Sequence, residues 1–218
     1  MHRIAIFLVM VSAAVCAEAQ LTIGAFGIVN RMGISGDAPP GGSWAPNFSF
    51  GGGLHVAYDV TSDVSIFLQG EFVGRSSALQ YDVPIDPDAL ISKDTTVDSA
   101  IVNTQWIGIP IGMRVFSSNH RWFFSTGATL GLLQGVEIDT IGGSLEPENA
   151  IKNIDLQLFV GAGYLIPIDP IGIAIELRYN QGVIDLIGEE QNVAFRSEPV
   201  IRMSGFQARV SAEWRFDL

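Results

Sequence analysis

Ten ionisable side chains are the residues of this chain best suited to act together chemically. They occupy polar positions in segments where apolar and polar residues alternate, and they are Asp59, Glu71, Arg75, Arg114, Asp155, Glu176, Arg178, Arg209, Glu213 and Arg215. Five acids and five arginines that share one confined space could carry ions or relay protons. They could equally pair as salt bridges and fill the space. We favour pairing, because an unpaired charge in a poorly hydrated interior is costly.

A second group of candidate ligands is an acidic stretch with a single lysine, Lys93. Its five aspartates are Asp82, Asp86, Asp88, Asp94 and Asp98. Clustered carboxylates could hold Ca²⁺ or Mg²⁺ through their oxygen atoms. Their spacing matches no calcium-loop motif, so we interpret the stretch as a solvated acidic loop and keep the metal site as the alternative.

The elements that must position the ten charges are strands, because apolar residues recur with a period of two. Between residues 105 and 116, for example, Ile107, Ile109 and Ile111 face one way while Gly108 and Arg114 face the other. Eight segments of this kind are predicted, at 21–30, 48–60, 64–75, 105–116, 122–134, 154–166, 171–180 and 206–216.

The N-terminus indicates export from the cytoplasm. His2 and Arg3 precede an apolar run over residues 4–15, and Ala17-Glu18-Ala19 is a small-x-small cleavage site. We therefore predict a signal peptide at 1–19, cleaved before Gln20, and one domain at 20–218. Cys16, the only cysteine, lies inside the signal peptide, so the predicted mature chain has no disulfide and no thiol chemistry.

The lengths of the connections favour a membrane barrel over a soluble sandwich. Short connections are predicted near 61–63, 117–119 and 167–170, and long polar ones at 31–47, 76–99, 135–153 and 186–199. Short turns at one end and long loops at the other are typical of outer-membrane barrels. The sequence thus predicts an all-β fold, an eight-stranded antiparallel up-and-down transmembrane β-barrel with periplasmic short turns. Side chains fill the interior of a barrel of this size.

Net charge and motifs exclude several classes of function. The formal charge of −11 would repel nucleic acid. His55 lies within a strand and His120 in a short turn, and neither a Gly-x-Ser-x-Gly elbow nor a zinc-binding His-Glu-x-x-His occurs. We predict no catalytic residues and no cofactor, with a barrel enzyme such as a lipid acyltransferase or an outer-membrane protease as the less favoured alternative.

Four segments resemble a known family. They are WIGIPIGMRVF with Pro110 at its centre, DLQLFVGAGYLIPI before a short turn, IELRYNQGVIDL starting at Ile175, and FQARVSAEWRF near the end. Together they are similar to the porin-like outer-membrane β-barrel proteins of Gram-negative bacteria. Arg178-Tyr179 followed by Gly182 is the most specific part. The resemblance implies an eight-stranded barrel that the outer-membrane assembly machinery inserts, without catalytic residues.

One departure from the family concerns the last two residues. Asp217 and Leu218 follow Phe216, where such barrels usually end on an aromatic residue. Phe216 and Leu218 share the outward phase, so either could serve as the terminal assembly signal.

The sequence is compatible with three functions. The leading one is a non-enzymatic integral outer-membrane protein with acidic extracellular loops, which contacts outer-membrane lipid and acts in envelope integrity, adhesion or surface recognition. The second is a small porin that passes ions or small solutes. The third is a soluble, secreted binding barrel resembling lipocalins.

Overall fold

A computed structural model of the protein describes residues 20–83, 95–140, 143–145, 151–168, 170–186 and 200–217. Side chains at 82–83, 95–99, 143–145 and 217 are not described. The predicted signal peptide at 1–19 lies outside the described residues. Within those ranges, no helix is long and apolar enough to cross a membrane.

Ten strands are assigned in the described residues, and all neighbouring strands pair antiparallel. They are β1 (Gln20–Gly36), β2 (Gly42–Asn47), β3 (Ser49–Thr61), β4 (Val64–Val83), β5 (Thr95–Phe116), β6 (Trp122–Thr140), β7 (Gly143–Leu145), β8 (Ile154–Ile168), β9 (Ile171–Gly182) and β10 (Ile201–Asp217).

Eight of these strands close into a ring. The order around the ring is β1, β3, β4, β5, β6, β8, β9 and β10, and β10 returns to β1 with a register that runs from Gln20↔Asp217 to Gly36↔Ile201. The short strands β2 and β7 attach to β4 and β6 at one end. The predicted antiparallel, up-and-down arrangement with ring closure is confirmed.

The register fixes the tilt of the strands. Following paired residues once around the ring from Ile23 leads back to β1 at Gly33, ten residues further along. With a rise of about 3.3 Å per residue and a strand spacing of about 4.8 Å, this stagger corresponds to a tilt of about 40°. An eight-stranded ring with this tilt has an interior that side chains fill.

The outer surface of the ring carries a continuous apolar band. Outward residues such as Phe124 and Leu54 are 71% and 67% exposed. Aromatic residues border the band at the turn end, where the short connections lie, at Tyr58, Trp122, Phe124, Tyr164, Trp214 and Phe216. A second aromatic border lies towards the opposite end, called the rim below, at Phe48, Phe50, Phe72, Tyr179 and Phe206. The ten residue-to-residue steps from Phe206 to Phe216 along tilted β10 give a band about 25 Å high.

The strands extend further at the rim than the sequence analysis predicted. The predicted long connections at 31–47, 76–99 and 135–153 are partly strand, because β1, β4, β5 and β6 continue into them and β2 and β7 lie within them. The reason is a reversal of the apolar face. In the rim, Val102 and Val136 point inward, while their neighbours Asn103 and Glu137 face outward. The rim therefore has its apolar face inward and its polar face outward, as a sheet surrounded by water does. A prediction based on an outward apolar face does not identify these strand segments.

Candidate functional site in the barrel interior

The structure places eight of the ten predicted charges inside the barrel. Four carboxylates and four guanidiniums are each at most 6% exposed, namely Glu71, Arg75, Arg114, Asp155, Glu176, Arg178, Arg209 and Glu213. The other two predicted members lie near the turn end, where Asp59 is half-buried and Arg215 is exposed. The eight interior residues are still balanced in formal charge, with four carboxylates and four guanidiniums.

The interior arginines pair with carboxylates from other strands or from their own strand. Arg75 Nη1 lies 2.8 Å from Asp155 Oδ2, and Arg114 Nη1 lies 2.8 Å from Glu213 Oε1. Arg178 Nε donates to Glu176 Oε1 at 2.7 Å.

Two longer contacts extend the set of pairs. Arg209 Nη2 lies 3.6 Å from Glu71 Oε2, and Arg114 Nη2 lies 4.0 Å from Glu176 Oε2. Ser125 also donates its hydroxyl to Glu176 Oε1. Every interior carboxylate thus has a guanidinium neighbour, as a buried charge requires.

Each interior arginine also lies over an aromatic ring. The distances from guanidinium carbon to ring centroid are 4.0 Å for Arg209 on Phe26, 4.4 Å for Arg178 on Phe159, 4.8 Å for Arg114 on Phe123, and 4.9 Å for Arg75 on Trp106. Desolvated cation–π contacts of this kind contribute up to about 2 kcal/mol each. The interior is therefore built from repeated units of one guanidinium, one carboxylate and one ring.

Inward glycines supply the space for these units. A Cβ atom at Gly161 would come within 2.9 Å of Arg178 Cγ, and one at Gly163 would collide with the ring of Phe123. Any larger residue at either position would displace an arginine or an aromatic side chain that lines the barrel.

Apolar layers enclose the charged layer at both ends. At the rim, the buried apolar residues are Phe26, Ile28, Ile34, Val73, Val102, Trp106, Leu186 and Met203. At the turn end, Phe123, Leu165 and Ala174 form a smaller cluster. The segment leading from β9 to Leu186 continues in the barrel wall, where the Leu186 amide donates to the Ile201 carbonyl and the Lys152 amide donates to the Leu186 carbonyl. These layers separate the charges from water on either side.

His55 is the one histidine buried in the described interior, at 2% exposure. Its Nε2 lies 3.6 Å from Glu213 Oε1, and its ring stacks on Phe26 with centroids 6.2 Å apart. The ring of His55 fills the space that Gly24 leaves open on the neighbouring strand. It therefore packs as part of the charged layer.

The interior aromatic residues are what the sequence analysis missed. Phe67, Phe123 and Phe159 each stand between two outward apolar residues, in the runs IFL, WFF and LFV. Counting apolar residues in such a run assigns all three to the lipid face. Strict alternation of outward and inward residues would have placed the central aromatic residue of each run on the inward face. The same alternation places Trp106, between Gln105 and Ile107, on the inward face.

The acidic stretch from Asp82 to Asp98, the second candidate site, lies outside the part of the chain whose side chains the structure describes. Residues 84–94 lie outside the described residues, and so do the side chains of Asp82 and Asp98. In the part of the chain that is described, no group of three or more His, Cys, Asp and Glu side chains could hold a metal ion.

The interior arrangement is suited to stability rather than to turnover. Its carboxylates are bound to guanidiniums, and apolar layers cover them, so none is presented to a substrate as a general base. Ions would have to break several buried salt bridges to pass.

No protein-family model and no curated protein matches the chain. Among solved structures it is similar to Ail, the attachment invasion locus protein of Yersinia pestis, with 12% identity and a TM-score of 0.45, over 91% of this chain and 99% of that chain. It is also similar to Neisserial surface protein A (13% identity, TM-score 0.44, 92% and 99% covered). A third similar structure is the outer membrane protein OprG from Pseudomonas aeruginosa (10% identity, TM-score 0.46, 93% and 97% covered). These low values assign no family or function, so the fold rests on strand pairing, and the family resemblance stays a prediction.

Proposed function

We propose that this chain is a non-enzymatic integral protein of the outer membrane of a Gram-negative bacterium. It is exported by the signal peptide at 1–19 and inserted by the outer-membrane assembly machinery. Its rim and long connections face the outside, where the acidic loops act in envelope integrity, adhesion or surface recognition.

The outward apolar band carries this proposal. A soluble protein rarely exposes large contiguous apolar patches, yet residues such as Phe50, Phe124 and Leu54 are more than 65% exposed on a closed ring. The band is about 25 Å high and has aromatic residues at both borders, as the lipid-facing surface of a transmembrane barrel does. The closed ring leaves no unpaired strand edge in lipid.

The filled interior supports a membrane anchor over a porin. Four buried ion pairs and two apolar layers lie in the path that a solute would take. Opening this path would expose paired charges one at a time, which costs several kcal/mol for each uncompensated charge.

Three measurements on the full chain and one on intact cells test the proposal. The purified protein should partition into detergent, migrate faster on unboiled than on boiled gels, and give no steady conductance in planar bilayers. Folded protein that stays soluble without detergent would favour the lipocalin-like barrel. Inserted protein that forms stable, reproducible channels would favour the small porin. Proteolysis near Lys93 on intact cells reports which end of the barrel faces outward.

A further inference from the structure

Two arginines at the rim differ from those inside because they point away from the barrel. Arg31 on β1 lies opposite Phe206 on β10, at the aromatic border of the apolar band. Arg202 is on the same outer face, four residues further towards the rim on β10, where it pairs with Ser35. Both side chains are exposed. In a membrane, this level is where the acyl chains end and the headgroups begin.

We propose that Arg31 and Arg202 bind the phosphorylated headgroup of a lipid in the outer leaflet. The inference rests on the proposed function, since it requires the band below these residues to lie in the membrane. It goes further by assigning a site on β1 and β10 and a class of ligand.

The surroundings of Arg31 fix its side chain without neutralising it. Its Nε donates to the Pro46 carbonyl at 3.2 Å, and its guanidinium carbon lies 5.7 Å from the ring of Phe48. Among the described residues, neither Arg31 nor Arg202 forms an ion pair with a carboxylate. A guanidinium that is held over an aromatic ring and lacks an acid partner is suited to a bidentate contact with phosphate.

A groove next to Arg31 offers room for a headgroup. It measures about 800 Å³, and its lining includes Arg31, Trp44, Pro46, Ser204 and Phe206. The lining therefore combines a cation, a hydroxyl and aromatic rings, which suits an amphipathic ligand.

The groove lies beyond the point where the pairing of β1 with β3 ends. Backbone pairing between β1 and β3 ends at Asn30↔Ser49, and the amide of Ile34 then donates to the side-chain oxygen Ser77 Oγ on β4 instead of to a backbone carbonyl. The one described carboxylate in the groove, on Asp37, accepts a hydrogen bond from the Val200 amide at 3.0 Å. That contact directs the carboxylate towards β10.

The opposite side of the barrel has the reverse charge. Glu137 is exposed and faces outward on β6, which lies across the ring from β1. Its carboxylate would repel an anionic headgroup, whereas Arg31 and Arg202 attract it. Anionic lipid should therefore collect on the β1–β10 side alone.

The separation of the two arginines fits one large headgroup. Four residues along a strand and one strand spacing place their Cα atoms about 14 Å apart. Two arginine side chains can span that distance to the phosphates of a single glycolipid.

The test is a binding titration of the full chain, refolded in a detergent without phosphate, with bisphosphorylated lipid A as the probe. We expect saturable binding that Arg31→Gln and Arg202→Gln each weaken about five-fold, in line with the contribution of one basic residue near an anionic surface. The matched control Glu137→Gln should leave affinity unchanged. Removing the phosphates from lipid A should weaken its binding to the wild type. The loss should equal that caused by the double substitution Arg31→Gln/Arg202→Gln with bisphosphorylated lipid A.

Three outcomes would overturn the inference. One is equal affinity of the wild type and the double variant for lipid A, and a second is equal binding of phosphorylated and dephosphorylated lipid. The third is displacement of lipid A by millimolar inorganic phosphate, which would make this a site for soluble anions. Unboiled gels show whether each variant is a folded barrel. A variant that is folded and requires detergent, but binds lipid A with unchanged affinity, contradicts the lipid site and leaves the proposed function intact.

Discussion

Arg178 inside the barrel and Arg202 at the rim carry the same guanidinium in opposite surroundings. Arg178 is 1% exposed, donates to Glu176, and lies 4.4 Å from the ring of Phe159. Arg202 is exposed and has no ion-pair partner among the described residues. Within the folded chain the first arginine is paired with a carboxylate, whereas the second is left for something outside the chain.

This difference separates stability from recognition along one barrel. In the interior, each charge depends on a neighbour that is out of water, so removal of one partner leaves the other uncompensated. At the rim, solvent compensates the charge, and substitution should affect only what the surface binds. Substitutions in the two regions test this division, and those in the interior should have the larger effect on stability.

The largest effect is expected for Arg114→Met. This change removes the guanidinium that lies 2.8 Å from Glu213 and 4.0 Å from Glu176, and it leaves Glu213 buried beside His55. Loss of one partner of a buried pair costs about 3–5 kcal/mol. The free energy of unfolding in phosphatidylcholine bilayers, measured with urea, should fall by about that amount.

Two further variants control the Arg114 result. Arg215→Gln removes an arginine that the sequence placed in the same set but that is exposed, so it should change the unfolding free energy by at most about 0.5 kcal/mol. The double variant Arg114→Met/Glu213→Leu should be more stable than Arg114→Met, because it also removes the buried Glu213 carboxylate that has lost its arginine partner. Equal losses for Arg114→Met and Arg215→Gln would show that burial does not distinguish them.

Much of the fold was predictable from the sequence, for a physical reason. Lipid outside and paired side chains inside impose an alternation that identifies each membrane-level strand, such as β9 starting at Ile171 and β6 starting at Trp122. Above the band that constraint disappears. The 22 residues of β5 therefore include a rim portion that the alternation, read with its apolar face outward, did not reveal.

A medium effect is expected for Phe159→Leu. Phe159 is 1% exposed and packs between Arg178 and Phe67, whose ring centroid is 6.1 Å away. Leucine keeps most of the apolar volume but removes the ring face, so the unfolding free energy should fall by about 1–2 kcal/mol.

The matched control for Phe159 is Phe124→Leu, which makes the same change on the lipid face. Phe124 is 71% exposed, so leucine should be tolerated there with a loss below about 0.5 kcal/mol. If the outward phenylalanine proved the more costly to replace, the aromatic border of the band would contribute more than the interior rings.

The candidate site was predictable only in part. Charge balance and inward phase pointed to the eight buried charges, because ionisable residues in a barrel wall must avoid lipid. The same reasoning could not tell Arg215 from Arg209, since the depth of a residue depends on where β10 leaves the band. It also assigned no role to Arg31, which appeared only as the start of a long connection, whereas the structure places it on β1 at the aromatic border.

The smallest effect on stability is expected for Arg202→Gln. In bilayers without lipid A, the unfolding free energy should stay within about 0.5 kcal/mol of wild type, since no described side chain depends on this guanidinium. Addition of lipid A should stabilise wild type by linkage, because the folded barrel alone has the site. A five-fold weaker site lowers that gain by about 1 kcal/mol at saturating lipid. The unfolding free energies of wild type and Arg202→Gln should therefore be equal in bilayers without lipid A and differ when lipid A is present. A loss of unfolding free energy above about 1 kcal/mol without lipid A would mean that Arg202 has a structural partner within the chain.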